Sequence, residues 1–155
     1  MKAIYLMIAA AAFACAEPVQ AGINDPEVII YRFPGVTDDG GGVNTGVATV
    51  FHCTNFSGAT ENIRFVTRNL IGGLVQNDVV SIAHLATSTA GTHQTRAYGT
   101  NLNLTTGPVF QGTTAIAATS INMICTAETI DASTAVPVGV ARRGIRFSPV
   151  PGSQE

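Results

Sequence analysis

The sequence predicts an all-β fold, an antiparallel β-sandwich of seven strands in two packed sheets. Three observations lead to this prediction. After residue 22, no run of apolar residues repeats at helical spacing for longer than two turns. Thr, Ala, Gly and Val dominate while Leu is sparse, which favours strands over helices. Seven strand-like segments are separated by breaks rich in glycine, proline, asparagine and aspartate.

The breaks between the strands consist of residues that stop strand pairing. Glycine adopts a positive φ readily, and proline has no N–H group to donate. Pro34-Gly35 is expected to end the first strand, and Pro137 to open the last. Gly72-Gly73 and Asn77-Asp78 mark the turn before the fourth. The predicted strands are 28–33, 46–54, 61–69, 79–86, 94–104, 114–127 and 138–147.

Residues 1–21 have the layout of a secretory signal peptide. Lys2 forms a short positive region, and an apolar stretch follows over residues 3–14. Small residues then offer cleavage after residue 16 or residue 21. A membrane anchor is disfavoured because a span needs about 20 apolar residues. The sequence therefore predicts a protein that is secreted, periplasmic or at the cell surface, with no transmembrane segment once the signal peptide is removed.

Cys15 offers an alternative for the N-terminus, a lipid-modified cysteine. Bacterial lipoproteins are similar in carrying a cysteine just after the apolar stretch. Their motif usually has Leu three places before that cysteine and a small residue two places before it. Here Ala12 and Phe13 occupy those positions. Cleavage without lipidation is therefore the main expectation.

Loss of Cys15 with the signal peptide leaves Cys53 and Cys125. Oxidising compartments favour disulfides and no odd thiol remains, so one Cys53–Cys125 disulfide is predicted. Metal ligation is the alternative, but the chain has no CxxC pair, and His52 faces away from Cys53 on an alternating strand. Alternation places both cysteines on the more apolar faces of the second and sixth strands. The disulfide is therefore expected to join the two sheets.

Two core-facing cysteines on the second and sixth of seven strands resemble the immunoglobulin-like β-sandwich. In that family a tryptophan packs on the disulfide about a dozen residues after the first cysteine. Phe65 stands at that spacing here, and Met123 stands where the family has a tyrosine. The resemblance covers roughly residues 28–147 and implies the architecture of a single domain over residues 22–155. It implies no function, since this architecture serves many.

Length and charge limit the classes of partner. The 155 residues are enough for one domain and not comfortably for two. Only 12% of the residues are charged and the net charge is −2, so the chain has no electrostatic footprint for a nucleic-acid backbone. The sequence therefore predicts one domain and no nucleic-acid partner.

The residues suited to catalysis or metal binding lack the spacing that either chemistry needs. His52, His84 and His93 form no His-x-His or His-x₃-His pair. No GxSxG nucleophile motif is present. Asp38-Asp39 offers oxygens, but a calcium site needs about six ligands and no Asp-x-Asp-x-Asp series follows. We therefore expect no catalytic residue, no metal and no cofactor.

Acids, aromatic rings and arginines offer weaker candidates. Acids for glycoside hydrolysis fall at predicted strand ends or turns, where acids usually solubilise the surface: Glu61, Asp78, Glu128 and Asp131. Four rings are candidate sugar platforms, although most are expected in the core: Tyr31, Phe56, Tyr98 and Phe110. Arg142 and Arg146 share a predicted strand face with Arg143 opposite, which favours charges that guard an edge strand.

The main functional expectation is a non-catalytic binding or structural module of the cell envelope or secretome. Its partner is open between a protein, a glycan and a second copy of the chain. The first alternative is a self-assembling, pilin-like surface subunit, because size, composition and signal peptide are similar to those of fimbrial subunits. The second is a small secreted hydrolase or carbohydrate-binding domain.

Overall fold

The computed structural model describes residues 25–100 and 102–147, which form two five-stranded sheets packed face to face. The predicted all-β class is confirmed. The described residues contain ten strands instead of the seven predicted. The predicted signal peptide and Cys15 lie outside the described residues. The strands are β1 (Val28–Asp38), β2 (Val47–Asn55), β3 (Glu61–Arg68), β4 (Leu74–Ile82), β5 (Thr87–Gly91), β6 (Leu102–Asn103), β7 (Val109–Ala118), β8 (Met123–Asp131), β9 (Gly139–Arg142) and β10 (Ile145–Arg146).

The first sheet has the strand order β10-β1-β7-β3-β4, and the second has the order β6-β5-β2-β8-β9. Neighbouring strands are antiparallel except for the short pair β5–β6. Strands β1 and β2 follow each other in the chain but lie in different sheets. In an immunoglobulin domain the first two strands share a sheet. The strand order therefore differs from that of the family whose cysteine placement this chain resembles.

The disulfide between Cys53 and Cys125 is confirmed, but the expectation that it joins the two sheets is wrong. Cys53 on β2 lies directly opposite Cys125 on β8, the neighbouring strand of the second sheet. Their Cα atoms are 4.2 Å apart. Alternation along a strand tells which face a cysteine occupies, but it does not tell which strands are neighbours. The prediction that the disulfide joins the two sheets was wrong for that reason.

The predicted strand 114–127 is in fact two strands in different sheets. β7 ends at Ala118, β8 begins at Met123, and residues 119–122 carry the chain from one sheet to the other. This crossing contains neither glycine nor proline, so the sequence shows no break. The turn is made instead by a side chain, since the Ser120 hydroxyl accepts a hydrogen bond from the Asn122 N–H at 3.2 Å.

The last predicted strand is also divided. Residues 138–147 form β9 and β10, separated by Arg143-Gly144, and these two strands lie at the edges of different sheets. The first predicted strand, in contrast, is too short. β1 continues past Pro34-Gly35 to Asp38, with a register shift at this point where Gly35 has a φ of 75°. Glycine allows that bulge without ending the strand.

Two further boundaries were predicted wrongly. β4 spans Leu74–Ile82, so Asn77-Asp78 lies inside the strand and not in a turn. The predicted strand 94–104 is mostly a loop, and the strand pairing occurs earlier, at Thr87–Gly91. Propensity favoured residues 94–104, but the segment that pairs with β2, on the side away from β8, is β5.

Three phenylalanines connect the two sheets at the centre of the core. The ring centroids of Phe33 and Phe51 are 5.6 Å apart, and those of Phe51 and Phe65 are 5.8 Å apart. Phe33 and Phe65 come from the first sheet, and Phe51 comes from the second. Both cysteines are buried in the same cluster. Within the described residues, no helix is long and apolar enough to cross a membrane.

Candidate functional site

The structure separates the three histidines. His52 lies in the middle of β2, His84 in the link between β4 and β5, and His93 in the loop after β5. His84 is exposed and its Nδ1 accepts a hydrogen bond from the Gly58 N–H at 3.0 Å. Among the residues that the structure describes, no three His, Cys, Asp or Glu side chains are grouped to hold a metal ion.

His93 is a buried structural residue. Its Nδ1 lies 2.7 Å from Asp38 Oδ2, and its Nε2 lies 2.9 Å from the Thr45 carbonyl oxygen. Both ring nitrogens therefore lie within hydrogen-bonding distance of an oxygen. Asp38 Oδ1 also accepts a hydrogen bond from the Gly40 N–H at 2.7 Å. Together the His93 ring and the Asp38 carboxylate hold the loop between β1 and β2 in place.

Asp38 and Asp39, which the sequence offers as calcium ligands, are both engaged in hydrogen bonds within the protein. The Asp38 carboxylate is engaged by His93 and Gly40. Asp39 Oδ1 accepts a hydrogen bond from the Gly41 N–H at 2.9 Å. The two carboxylates thus support the turn that follows β1.

A different group of polar side chains comes together on the outer face of the second sheet. The Nδ1 atom of His52 lies 3.0 Å from the Thr89 hydroxyl, and its Nε2 lies 3.6 Å from Glu128 Oε1. The ring of Tyr98 meets the His52 ring edge-on, with centroids 4.7 Å apart. We term these four residues, His52, Thr89, Tyr98 and Glu128, the His52 cluster.

Strand pairing explains three members of the His52 cluster. Thr89 on β5 lies directly opposite His52 on β2. Glu128 on β8 lies opposite Val50, one step along the same face, and therefore reaches His52 diagonally. These residues are far apart in the sequence and meet only because β2 lies between β5 and β8. The sequence does not reveal the cluster, because the strand order cannot be read from the sequence.

The fourth member, Tyr98, comes from the loop between β5 and β6. This loop crosses the outer face of the second sheet, and the Arg96 N–H donates to the Ala132 carbonyl beyond the end of β8 at 3.0 Å. The outward side chains of Val50 and Ile130 are buried, as expected where a loop covers them. Tyr98 is therefore held over the sheet by an anchored segment.

Glu128 is hydrogen-bonded to Tyr98. The Tyr98 hydroxyl donates a hydrogen bond to the Glu128 carboxylate, which raises the pKa of Tyr98 to about 12. Partial burial and the negative charge of the carboxylate act in the same direction. A tyrosine is protonated at physiological pH in any case, so the effect of the contact is to hold the phenol O–H against Glu128.

A row of hydroxyl groups continues the same outer face. The hydroxyls of Thr54 and Thr87 are 2.8 Å apart across β2 and β5. Thr126 lies opposite His52 on β8 and is exposed. We term Thr54, Thr87 and Thr126 the threonine row. The His52 cluster and the threonine row together form a surface that we term the polar face.

Other acids that the sequence offers as catalytic residues have structural roles. Glu61 was expected at the surface, but it is fully buried and its carboxylate accepts a hydrogen bond from the Thr119 hydroxyl. Asp78 accepts a hydrogen bond from the Gln76 side chain at 2.8 Å. Asp131 is exposed, and hydrogen bonds from the Ser133 hydroxyl and N–H lower its pKa. Only Glu128, among these four acids, lies beside a histidine and a tyrosine.

The four aromatic rings that the sequence offers as sugar platforms lie in separate parts of the structure. Tyr31 is buried in the core. Phe56 and Phe110 are exposed, the first just after β2 and the second near the start of β7. Tyr98 alone of the four belongs to the polar face. Tyr98, one of the four predicted sugar platforms, thus lies next to Glu128 and His52.

The arginines near the C-terminus lie at the sheet edges. Arg142 is on β9 and Arg146 is on β10, so the expectation that they share a strand face is wrong. The chain leaves the second sheet between them, at Arg143-Gly144, and enters the first. Arg142 donates to the Thr129 hydroxyl and Arg146 to the Ile121 carbonyl, each at 2.8 Å. Both strands are edge strands, as expected for charges that guard an edge.

Comparison of the chain with protein-family models, with curated proteins and with solved structures finds no match. A functional assignment therefore depends on the geometry of the chain's own residues.

Proposed function

We propose that this chain is an exported, non-catalytic binding module of the cell envelope or secretome, and that its polar face binds a glycan. The observation that carries the proposal is the grouping of the His52 cluster and the threonine row on one outer sheet face. The signal-peptide pattern of residues 1–21 and the Cys53–Cys125 disulfide support export, because disulfides persist in oxidising compartments.

The chemistry of the polar face suits a ligand with many hydroxyl groups. A sugar hydroxyl both donates and accepts hydrogen bonds, and threonine hydroxyls do the same. The Glu128 carboxylate adds a strong acceptor. The rings of Tyr98 and His52 add flat apolar surfaces against which the C–H groups of a sugar can pack. Thr54 and Thr87 present a bonded pair of hydroxyls on β2 and β5, and Thr126 presents a further hydroxyl on β8. Neighbouring strands lie about 4.8 Å apart, so a sugar ring can contact groups on two strands.

The polar face is also held in place before any ligand arrives. His52 is bonded to Thr89, and Tyr98 is bonded to Glu128. Cys53, the residue after His52, is bonded to Cys125, the residue before Thr126, so β2 and β8 are linked covalently beneath the face. A surface that is already ordered loses little conformational entropy on binding, which favours affinity.

The sheet geometry supports binding in preference to catalysis at Thr89. The Thr89 hydroxyl lies beside an imidazole, as a nucleophile would. β5 and β2 are interior strands of their sheet, with a partner on both sides. His52 and Thr89 pair in register across these strands, and N–H groups in a strand ladder point along the sheet and not out of the face on which these side chains lie. They therefore do not converge on the Thr89 hydroxyl as an oxyanion site requires.

Retention on polysaccharides tests the proposal. The protein is incubated with immobilised neutral polysaccharides and with purified peptidoglycan, and bound protein is measured at increasing concentrations. We expect specific retention by at least one of these glycans. Replacing Tyr98→Ala should weaken that binding at least tenfold, and Thr126→Val should weaken it severalfold, since one hydrogen bond contributes about 1 kcal/mol.

Phe56→Ala is the matched control, because it removes an exposed ring that lies outside the polar face. Its binding should equal that of the unmodified protein. Circular dichroism establishes that each variant is folded. If no glycan is retained, or if retention is the same after Tyr98→Ala, the polar face is not a glycan site.

A second candidate is a self-assembling, pilin-like surface subunit, and the free edge of β4 favours it. β4 is nine residues long and pairs on one side only, with β3, among the described residues. It contains no proline, lysine or arginine, and its one charge, Asp78, is bonded to Gln76. An unguarded edge of this length can accept a strand from a second copy.

Size-exclusion chromatography and light scattering test this candidate. Self-assembly predicts oligomers that grow with concentration and that are lost on Val79→Lys, a change at an exposed β4 side chain. A protein that stays monomeric at high concentration rules out the candidate and leaves the glycan proposal untouched.

A further inference from the structure

The hairpin between β3 and β4 carries an exposed apolar tip. Leu70 is 66% exposed, Ile71 is 89% exposed and Leu74 is 58% exposed. We term these three residues the apolar tip. Large aliphatic side chains grouped at one turn are unusual on a soluble surface and mark an interaction site.

The backbone of this turn makes its hydrogen bonds within the hairpin. The Asn69 side-chain oxygen accepts from the N–H groups of Ile71 and Gly73, at 3.2 and 2.8 Å. The Asn69 N–H donates to the Gly73 carbonyl at 2.9 Å, and the Gly72 N–H donates to the Asn69 carbonyl at 3.0 Å. Arg68 donates to the Gly72 carbonyl at 3.0 Å. The turn is therefore ordered, and four of its N–H groups, those of Asn69, Ile71, Gly72 and Gly73, are bonded within the hairpin.

Tight hairpin turns in water commonly pair their backbone groups in this way, and the same pairing also suits a lipid contact. A loop in water can leave such groups to bond with water, so it has no need to pair them internally. A segment that enters a bilayer does, because each unpaired N–H or carbonyl group in hydrocarbon costs several kcal/mol. The tip combines large aliphatic side chains with a paired backbone, which are the two properties that shallow insertion requires.

The charges around the tip favour an anionic lipid surface. From Phe65 to Asn77 the single charged residue is Arg68, at the base of the tip. Phe110 lies at the same end of the sheet, because β7 runs antiparallel to β3 and Thr113 pairs with Arg68. Aromatic and cationic side chains beside an inserted apolar segment match the headgroup region of a bilayer.

We propose that the apolar tip inserts into the interface of an anionic lipid bilayer, with Arg68 at the level of the lipid phosphates. A projecting turn suits a fluid surface that closes around it, whereas a protein partner would need a matching groove. Insertion would hold the protein at a membrane surface while the polar face on the second sheet stays accessible. The inference does not depend on glycan binding.

Tryptophan fluorescence tests this inference at a single site, because the chain has no tryptophan. Ile71→Trp places a reporter in the tip. Leu85→Trp is the matched control, since Leu85 is 65% exposed and lies beside Asn55 at the far end of β2, away from the tip. Both full-length variants are mixed with vesicles of phosphatidylcholine containing phosphatidylglycerol, with and without brominated lipid.

The inference predicts a blue-shifted emission and quenching by brominated lipid for Ile71→Trp, and neither effect for Leu85→Trp. Because both variants have the same N-terminal segment, attachment through residues 3–14 affects them equally. Adding Leu70→Ser and Leu74→Ser to the Ile71→Trp variant should weaken vesicle binding by about tenfold for each side chain. Arg68→Gln should reduce binding to anionic vesicles more than to pure phosphatidylcholine.

Two results would overturn the inference. An unchanged Ile71→Trp spectrum with vesicles would show that the tip does not enter lipid. Equal quenching of both tryptophans would show unspecific adsorption or attachment by another segment. Saturable binding of the tip to a protein in the absence of lipid, with no vesicle effect, would identify a protein groove as its partner and would also overturn it.

Discussion

His52 and Thr126 face each other on the outer surface of the second sheet, directly above the Cys53–Cys125 disulfide. Each cysteine is the sequence neighbour of one of these two residues, and both residue pairs are in register across β2 and β8. The covalent link in the core therefore fixes the spacing of the polar groups on the surface. This coupling leads to the first prediction.

Removal of the disulfide by Cys53→Ala with Cys125→Ala should destabilise the fold by about 4 kcal/mol, because the link closes a long loop in the unfolded chain. Urea unfolding followed by circular dichroism measures the change. The double variant should also bind a retained glycan more weakly, since β2 and β8 are then held together by strand pairing without the covalent link. A loss below about 1 kcal/mol would contradict the stabilising role of the disulfide.

Tyr98 should ionise at about pH 12, above the ordinary tyrosine pKa of about 10. A raised pKa means that the folded state favours the protonated phenol. The resulting stabilisation is complete below the unfolded pKa and is lost as the pH rises through the folded one. Absorbance of tyrosinate near 295 nm follows the titration.

Two variants assign that titration to the contact with Glu128. Glu128→Gln should lower the Tyr98 pKa toward its ordinary value. Tyr98→Phe should remove the contribution of Tyr98 from the absorbance change, to which the other two tyrosines also contribute. Ionisation of Tyr98 near pH 10 in the unmodified protein would show that the hydrogen bond to Glu128 is not maintained in solution.

Replacing His93→Ala should cost about 3 kcal/mol of unfolding free energy, because it leaves the Asp38 carboxylate buried without its partner. Amide exchange in the loop between β1 and β2 should accelerate as well. His84→Ala is the control, since His84 is exposed and its replacement should cost less than about 1 kcal/mol. Similar losses in the two variants would contradict the structural role of His93.

The sequence indicates some strands well, for physical reasons that are local. β2 and β3 agree with the predicted strands 46–54 and 61–69 within a residue or two. β3 alternates regularly between buried and more exposed residues, and both strands end at or just before an asparagine. The crossing at residues 119–122 was missed because a serine side chain makes the turn and no glycine or proline marks it.

The strand order could not be predicted from the sequence, and two features of the structure depend on it, the location of the disulfide and the His52 cluster. The disulfide lies within one sheet because β2 and β8 are neighbours, a long-range fact that alternation does not contain. His52, Tyr98 and Glu128 were each recognised separately, as a histidine, a ring and an acid. Alternation did place His52 on the face opposite Cys53, and that signal in the sequence pointed to the polar face.

The most direct test of the account is to locate the bound glycan by NMR. A soluble oligosaccharide derived from a retained polysaccharide is titrated into ¹⁵N-labelled protein, and changes in amide chemical shift are assigned to residues. We predict that the largest changes occur at His52, Thr89, Tyr98 and Thr126, with little change at Leu70 or Phe56. Changes confined to other surfaces, or no changes at saturating oligosaccharide, would contradict the claim that the polar face is the binding site.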